Sequence, residues 1–351
     1  MNNRSLFLAE KLAEQHSLKV EEYAELIRYR TDTTAKFLQE HAENVRKSVY
    51  GNDVYVRGLI EISNYCKNDC FYCGIRRSNK KCKRYRLSAE DILACCKSGY
   101  ALGVRTFVLQ GGEDSFYTDD LLCDLISTVK ALYPDCAITL SLGERGKISF
   151  RKLFQAGADR YLLRHETADA VHYGKLHPVD CSFENRIQCL YNLREIGYQV
   201  GCGFMVGSPY QTPEIIAKDL FFLETFRPEM CGIGPFISHK NTPFCNMKSG
   251  TAELTIFLLS VIRLILPSVL LPATTALATV TPHGRERGIS AGANVVMPNI
   301  SPLSAKTNYI LYDGKICTEE EPTQCIACLK KRIDSIGYRI VTSRGDPVKT
   351  T

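Results

Sequence analysis

Eight short runs of β-branched or apolar residues recur along this chain, each separated from the next by a stretch of helical periodicity. They cover Val54–Ile62, Thr106–Leu109, Ala137–Leu142, Arg160–Leu163, Gln199–Val206, Met230–Ile237, Leu270–Thr274 and Asn294–Met297. The helical stretches between them fall at 88–102, 118–132, 149–156, 182–196, 213–226, 253–266 and 285–291. Several open on residues that cap a helix N-terminus, such as Ser88-Ala89-Glu90 and Thr212-Pro213-Glu214. Parallel strands need a crossover between them, so this alternation predicts βαβ units, and eight such units close into a ring. The expected fold is α/β, a TIM-type (βα)8 barrel over residues 51–300. A helical N-terminal cap over 1–50 precedes it, and a cysteine-containing tail over 301–351 with one helix, Thr323 to Ser335, follows.

With 351 residues and 45% hydrophobic content, the chain can bury one large core. The most apolar stretch, Leu254 to Leu271, is broken by Arg263 and Pro267, so no membrane-spanning helix is expected. The first residues lack the apolar segment of a secretion signal, and a cytoplasmic location is the expectation. Sixteen cysteines in such a protein point to metal or cluster ligands rather than to a disulfide scaffold. Ten of them (Cys82, Cys95, Cys96, Cys123, Cys136, Cys181, Cys189, Cys202, Cys231 and Cys245) are scattered, and are read as small buried hydrophobes. A net charge of +6 does not by itself imply a nucleic-acid partner.

The remaining cysteines fall in two groups. Cys66, Cys70 and Cys73 form a Cys-x3-Cys-x2-Cys run just past the first strand, with three thiols on one short loop. A structural zinc site needs four ligands, and only Cys82 lies near enough in sequence to complete one. A 4Fe-4S cluster held through three of its irons leaves the fourth free for a small-molecule chelate. One βα unit later comes Gln110-Gly111-Gly112-Glu113-Asp114, whose glycines allow close backbone approach and whose acid can bind an ammonium group.

Triad and glycine motif together resemble the radical S-adenosylmethionine (SAM) superfamily, in which the open iron is chelated by SAM. That resemblance implies a 4Fe-4S cluster on Cys66, Cys70 and Cys73, Tyr72 near the adenine, and Gly111, Gly112 and Glu113 at the methionine end. Tyr161–Thr167, Ser182–Arg186, Gly232–Ile237, Pro272–Ala276 and Gly292–Pro298 narrow it, being similar to the FeFe-hydrogenase maturase HydE family. The family shares its barrel with biotin synthase and methylornithine synthase. The resemblance implies a role in assembling the di-iron subcluster of FeFe-hydrogenase, on a small organometallic iron substrate. It also implies transient contact with other maturases and a reductant protein. Arg164, Glu166 and Arg186 would contact the SAM carboxylate and ribose, where a guanidinium fork suits a carboxylate.

Other residues are read toward the substrate. Ser141 and Thr139 on the third strand, and Thr274 and Thr275 on the seventh, offer hydroxyls to a cavity, Ser141 on the SAM side. Gln110 ends the second strand. Arg57, in an apolar strand, either holds an anion or faces outward. Met230, Ile237, Met297, Tyr309 and Tyr312 are candidates for an apolar and phenolic wall. Cys317, Cys325 and Cys328 resemble an accessory Fe-S site, 2Fe-2S or 4Fe-4S, found in some HydE proteins. The basic run Arg76–Arg86 is expected to meet an acidic protein rather than RNA. The alternatives are a methylornithine- or biotin-synthase-type enzyme and a non-catalytic Fe-S scaffold.

Overall fold

A computed structural model of the chain describes residues 2–319 and 321–348. Strands β1 (Asp53–Val56) and β2 (Gly58–Ser63) form one bent strand with Arg57 at the bend. They are followed by β3 (Thr106–Gly111), β4 (Ala137–Ser141), β5 (Arg160–Leu162) and β6 (Gln199–Cys202) with its extension β7 (Met205–Val206). Then come β8 (Met230–Cys231), its extension β9 (Gly234–Pro235), and β10 (Val295–Val296). The main sheet runs β2-β3-β4-β5-β6-β8, every pair parallel. From β8 the ladder continues: Cys231 N–H donates to Leu270 at 3.0 Å, Ala273 N–H to Val295 at 2.9 Å, and Leu59 N–H to Pro298 at 2.9 Å. Those bonds lead through residues 270–273 and β10 back to the first strand, so seven of the eight expected strands form and the seventh run takes its place between β8 and β10 through isolated bridges, in sequence order round a barrel. Phe107, Val108 and Leu109 are all buried, as a parallel strand covered on both faces requires.

Between the strands lie α4 (Ala89–Ala101), α5 (Asp119–Leu132), α6 (Lys147–Gln155), α7 (Ala170–Leu176), α8 (Phe183–Ile196), α9 (Pro213–Phe226), α10 (Ala252–Ile265), α11 (Thr275–Val280) and α12 (Gly284–Ser290). Thr118, Ser182, Thr212 and Thr251 each accept a first-turn N–H, and Ser88 and Asp91 exchange two bonds as a capping box. The N-terminal helices α1 (Asn2–Gln15), α2 (Val20–Arg28) and α3 (Asp32–Tyr50) lie on the outer helices, α2 against α9 and α3 against α10. That second layer explains why α10 is buried all round, including Arg263, which bonds the Gly292 and Pro267 carbonyls.

Four elements depart from the expectation. Helices α7, α11 and α13 (Leu303–Lys306), none longer than seven residues, have no counterpart among the expected helices. After the expected tail helix α14 (Pro322–Asp334), a short strand β11 (Arg339–Val341) adds parallel to β1. The chain then crosses the foot of the barrel, where Arg160 pairs with Asp346 at 2.6 Å and Thr106 donates to the Arg344 carbonyl at 2.8 Å.

Two buried polar contacts fix the opposite, C-terminal end. Lys315 reaches from the tail to Glu61 on β2 at 2.6 Å and also donates to the Tyr309 carbonyl at 2.7 Å. Glu61 is 1% exposed, and burial raises its pKa against the pull of Lys315. His177, just after α7, donates from Nδ1 to the Tyr173 carbonyl and accepts from the Tyr72 hydroxyl at 3.1 Å. Burial holds its pKa down at about 3.

Removing one partner of a buried ion pair costs about 3–5 kcal/mol because the other charge stays behind. Lys315→Met is therefore expected to loosen the tail, read as faster limited proteolysis near residues 309–319, and Glu61→Gln in the same chain should restore part of the protection. Equal cleavage rates in parent and Lys315→Met would refute the strap. For His177 the folded form binds its proton far below an unfolded histidine, so stability is lost as pH falls through the unfolded value near 6.5. Between pH 7.5 and 5.5, urea denaturation of cluster-free protein should show the parent losing about 1 kcal/mol more than His177→Gln.

Candidate active site

The C-terminal strand ends and the loops beyond them enclose a cavity of about 300 Å³. Its first wall is the loop after β2, which carries Cys66, Cys70, Tyr72 and Cys73. None of these three cysteines forms a disulfide. The loop runs close to the end of β3 because Gly112 has no side chain: a Cβ there would lie 2.2 Å from the Tyr65 carbonyl and 2.7 Å from Cys66 Cβ. From that approach Glu113 N–H donates to Cys66 Sγ at 3.4 Å and Lys67 N–H to the Glu113 carbonyl at 2.9 Å. Burial pushes the Cys66 thiol up and Cys73 to about 12, while Cys70 is raised first by the neighbouring Cys181 thiol and then by burial. Thiols held neutral in this way ionise when a metal replaces their protons.

The second wall is charged. Gln110, Gly111 and Glu113 come from the end of β3, Ser141 from β4, Arg164 and Glu166 from the end of β5, and Arg186 from the first turn of α8. Arg186 Nε stands 2.7 Å from Glu144 and its Nη2 3.7 Å from Glu113. Arg164 and Glu166 approach to 3.0 Å, yet Arg164 Nε and Nη2, Glu166 Oε2, Glu113 Oε2 and Arg186 Nε are buried without a hydrogen bond. The groups are in ion-pair contact but out of line, so each retains a directed donor or acceptor for a ligand. Glu166 sits at φ +65, a left-handed conformation unfavourable to a glutamate. It is held there by Glu166 N–H to Gly203 O at 3.0 Å and by its buried neighbour His165, which faces Asp219 at 3.4 Å.

The third wall is apolar and phenolic: Ile237 beyond β9, Thr274 at the start of α11, and Tyr309 and Tyr312 from the tail. Gln110 Nε2 donates to the Tyr309 hydroxyl at 3.4 Å. Three expected residues lie elsewhere in the barrel. Arg57, Thr139 and Met230 line a small separate cavity with Arg160. Arg57 is 1% exposed, not outward-facing; its Nη1 donates to Met230 Sδ at 2.5 Å while Nε and Nη2 have no partner. Burial and then Arg160 press its pKa well down. Met297 packs with Tyr50 and Val295, and Thr275 accepts from Arg285 at 3.2 Å, so neither borders the main cavity.

The accessory cysteines are on the far side of that arginine. Arg285 reaches Cys317 Sγ at 3.8 Å through both terminal nitrogens, Cys325 is buried on α14, and Cys328 is exposed on the same helix. Sequence reasoning missed Glu144, His177 and Cys181. Glu144 lies three residues past the end of β4 and could have been flagged by position. His177 and Cys181 come from the α7–α8 connection, which carries no motif.

Among the described residues no helix is long and apolar enough to cross a membrane. The sequence profile of the radical SAM superfamily matches residues 60–223, which hold the triad and the first two walls. The FeFe hydrogenase maturase subunit HydE of Thermotoga maritima is 46% identical over 298 residues, 85% of each chain. The 3-methylornithine synthase of Methanosarcina acetivorans is 29% identical over 333 residues, 93% of this chain and 92% of that one. Among solved structures, methylornithine synthase superposes with a TM-score of 0.83 at 26% identity over 95% of this chain and 97% of that chain. With 46% of the aligned residues shared with a HydE over most of both lengths, and with the superfamily's profile lying across its cysteine loop, this chain belongs to the HydE family of radical SAM enzymes.

Proposed function

We propose that this protein is a radical SAM enzyme that acts in building the di-iron subcluster of FeFe-hydrogenase, on a small organometallic iron complex. The observation that carries the chemical part is the meeting, in one cavity, of three thiols on one loop with buried, unsatisfied charged groups. The maturase part is supported by the relationship to HydE.

In this reading Cys66, Cys70 and Cys73 hold a 4Fe-4S cluster, and the Glu113 N–H facing Cys66 steadies the thiolate that results. When bound, the cluster supplies the electron that splits SAM into methionine and a 5′-deoxyadenosyl radical. The residues around it bind and orient. Glu113 takes the methionine ammonium, Arg164 or Arg186 the carboxylate, Glu166 the ribose hydroxyls, Ser141 a polar edge, and Tyr72 the adenine face. Tyr72 can do so because His177 fixes its hydroxyl from behind. Gln110, Ile237, Thr274, Tyr309 and Tyr312 form the apolar and phenolic wall of the cavity, suited to hold substrate and exclude water. Arg57 keeps two buried N–H groups with nothing to bond, but the cavity it shares with Thr139 and Met230 holds only about 10 Å³, room for a water-sized group and not for part of a substrate bound in the main cavity. Cys317, Cys325 and Cys328 are assigned an accessory Fe-S site, 2Fe-2S or 4Fe-4S, dispensable for SAM cleavage. The expected setting is the cytoplasm, with other maturases and a reductant protein as transient partners and no role for nucleic acid or membrane.

The test is anaerobic. Protein reconstituted with iron and sulfide and reduced with dithionite should convert SAM to 5′-deoxyadenosine, and the Cys66/Cys70/Cys73 triple alanine variant should form none. A fully loaded parent that forms none would point to a non-catalytic scaffold. Conversion of lysine or dethiobiotin would replace the maturase reading with a methylornithine- or biotin-synthase one. A Cys317/Cys325/Cys328 triple serine variant should keep its deoxyadenosine yield, and loss of that yield with the first cluster intact would contradict the accessory assignment.

A further inference from the structure

The loop that follows the triad spends only part of its positive charge on its own folding. Arg84 staples it, donating from Nη1 to Ile75 at 2.7 Å and to the Asn64 carbonyl, and from Nη2 to Arg76 at 2.6 Å. Asn79 adds a bond to the Gly74 carbonyl at 2.6 Å, Arg76 pairs with Asp69 at 2.6 Å, and Arg86 pairs with Asp114 at 2.7 Å. On its inner side Ile75 borders the main cavity beside Cys73, and Cys82 Sγ accepts from Asn64 at 3.5 Å. The outer side presents Arg77, Lys80, Lys81 and Lys83, all exposed. Arg77 comes within 3.7 Å of Asp180, and no ion pair within 4.0 Å is formed by the three lysines among the described residues.

Three like charges held together on a stapled loop repel one another and support no part of the fold, but they set up a positive field over the loop that carries the thiols. We infer that Lys80, Lys81 and Lys83, with Arg77 beside them, are the docking surface for an acidic one-electron carrier protein that reduces the site from outside. The inference rests on the triad holding a cluster. Its step is balanced: the carrier gives up one electron, the oxidised cluster gains it, and no proton or bond moves. An RNA partner fits less well, because residues 76–84 contain no aromatic side chain on which a base could stack. Tyr65 and Phe116 are already covered by the Arg86 guanidinium, at 4.0 and 4.8 Å from their ring centroids. A small, charged, exposed surface also suits an encounter that must form and release quickly.

The experiment compares reconstituted parent with Lys80→Glu/Lys81→Glu/Lys83→Glu, using an acidic flavodoxin as the carrier. Binding is measured by titration at low salt, and cluster reduction is followed by its visible absorbance, once with reduced flavodoxin and once with dithionite. The variant is expected to bind flavodoxin about tenfold more weakly or worse and to be reduced by it correspondingly more slowly, while dithionite reduces both proteins alike. A triple alanine variant should fall between the two, and raising salt should erase the difference. Unchanged flavodoxin affinity and reduction rate in the charge-reversed protein would overturn the inference, as would saturable tRNA binding that alone is lost. Failure of dithionite to reduce the parent would instead bring down the cluster assignment beneath it.

Discussion

Residues 64–84 contain neither helix nor strand, so each of their backbone groups must find a partner outside the regular ladders. They find them in every direction. Phe71 N–H bonds the Leu176 carbonyl at the end of α7, Gly74 N–H bonds Leu311 in the tail, and Lys67 N–H bonds Glu113 beyond β3. Arg84 and Asn79 collect carbonyls from within the stretch itself. The three thiols are thus placed by elements drawn from three separated parts of the chain. A loop of this kind is rigid only while its neighbours are docked, so α7 and the tail help to position the three thiols.

The charged wall follows a different logic. Glu113, Glu144 and Glu166 are balanced by Arg164, Arg186 and, from the cavity edge, Lys67 at 3.2 Å from Glu113, so the cavity avoids a net buried charge. Their misalignment leaves hydrogen-bonding capacity that a zwitterion with adjacent hydroxyls can complete. An amino acid joined to a nucleoside has that distribution of groups. The strained φ of Glu166 is consistent with an acceptor held for a ligand rather than for the fold.

Much of this was legible in the sequence, and the reasons for what was not are specific. The eight strands showed as apolar runs because parallel strands are buried on both faces, but the same property hides the two-residue alternation that would say which side chain points inward. Thr139 and Ser141, two residues apart on β4, share a face and differ in depth: Ser141 at the strand end borders the main cavity and Thr139 the smaller one below. Thr274 and Thr275 looked like a pair, yet Thr274 caps α11 and borders the cavity while Thr275 turns toward Arg285. Helix α7 went unseen because its buried residues include His172 and Tyr173, which do not read as an apolar stripe. Cys181, one of ten scattered cysteines, owes its place beside Cys70 to the path of the chain after α7, which no local pattern encodes.

The strap from Lys315 to Glu61 has a consequence for how the molecule divides. By strand order the barrel is complete at β10, and the chain beyond it looks like an appendage. Yet Tyr309, Leu311 and Tyr312 form one side of the cavity, and Cys317 lies only two residues past the strap. Cutting the chain after residue 300 would leave a closed ring whose chamber stood open on one side. The chain after residue 300 is thus less a separate module than the door of the room, latched at Glu61 by one buried ammonium.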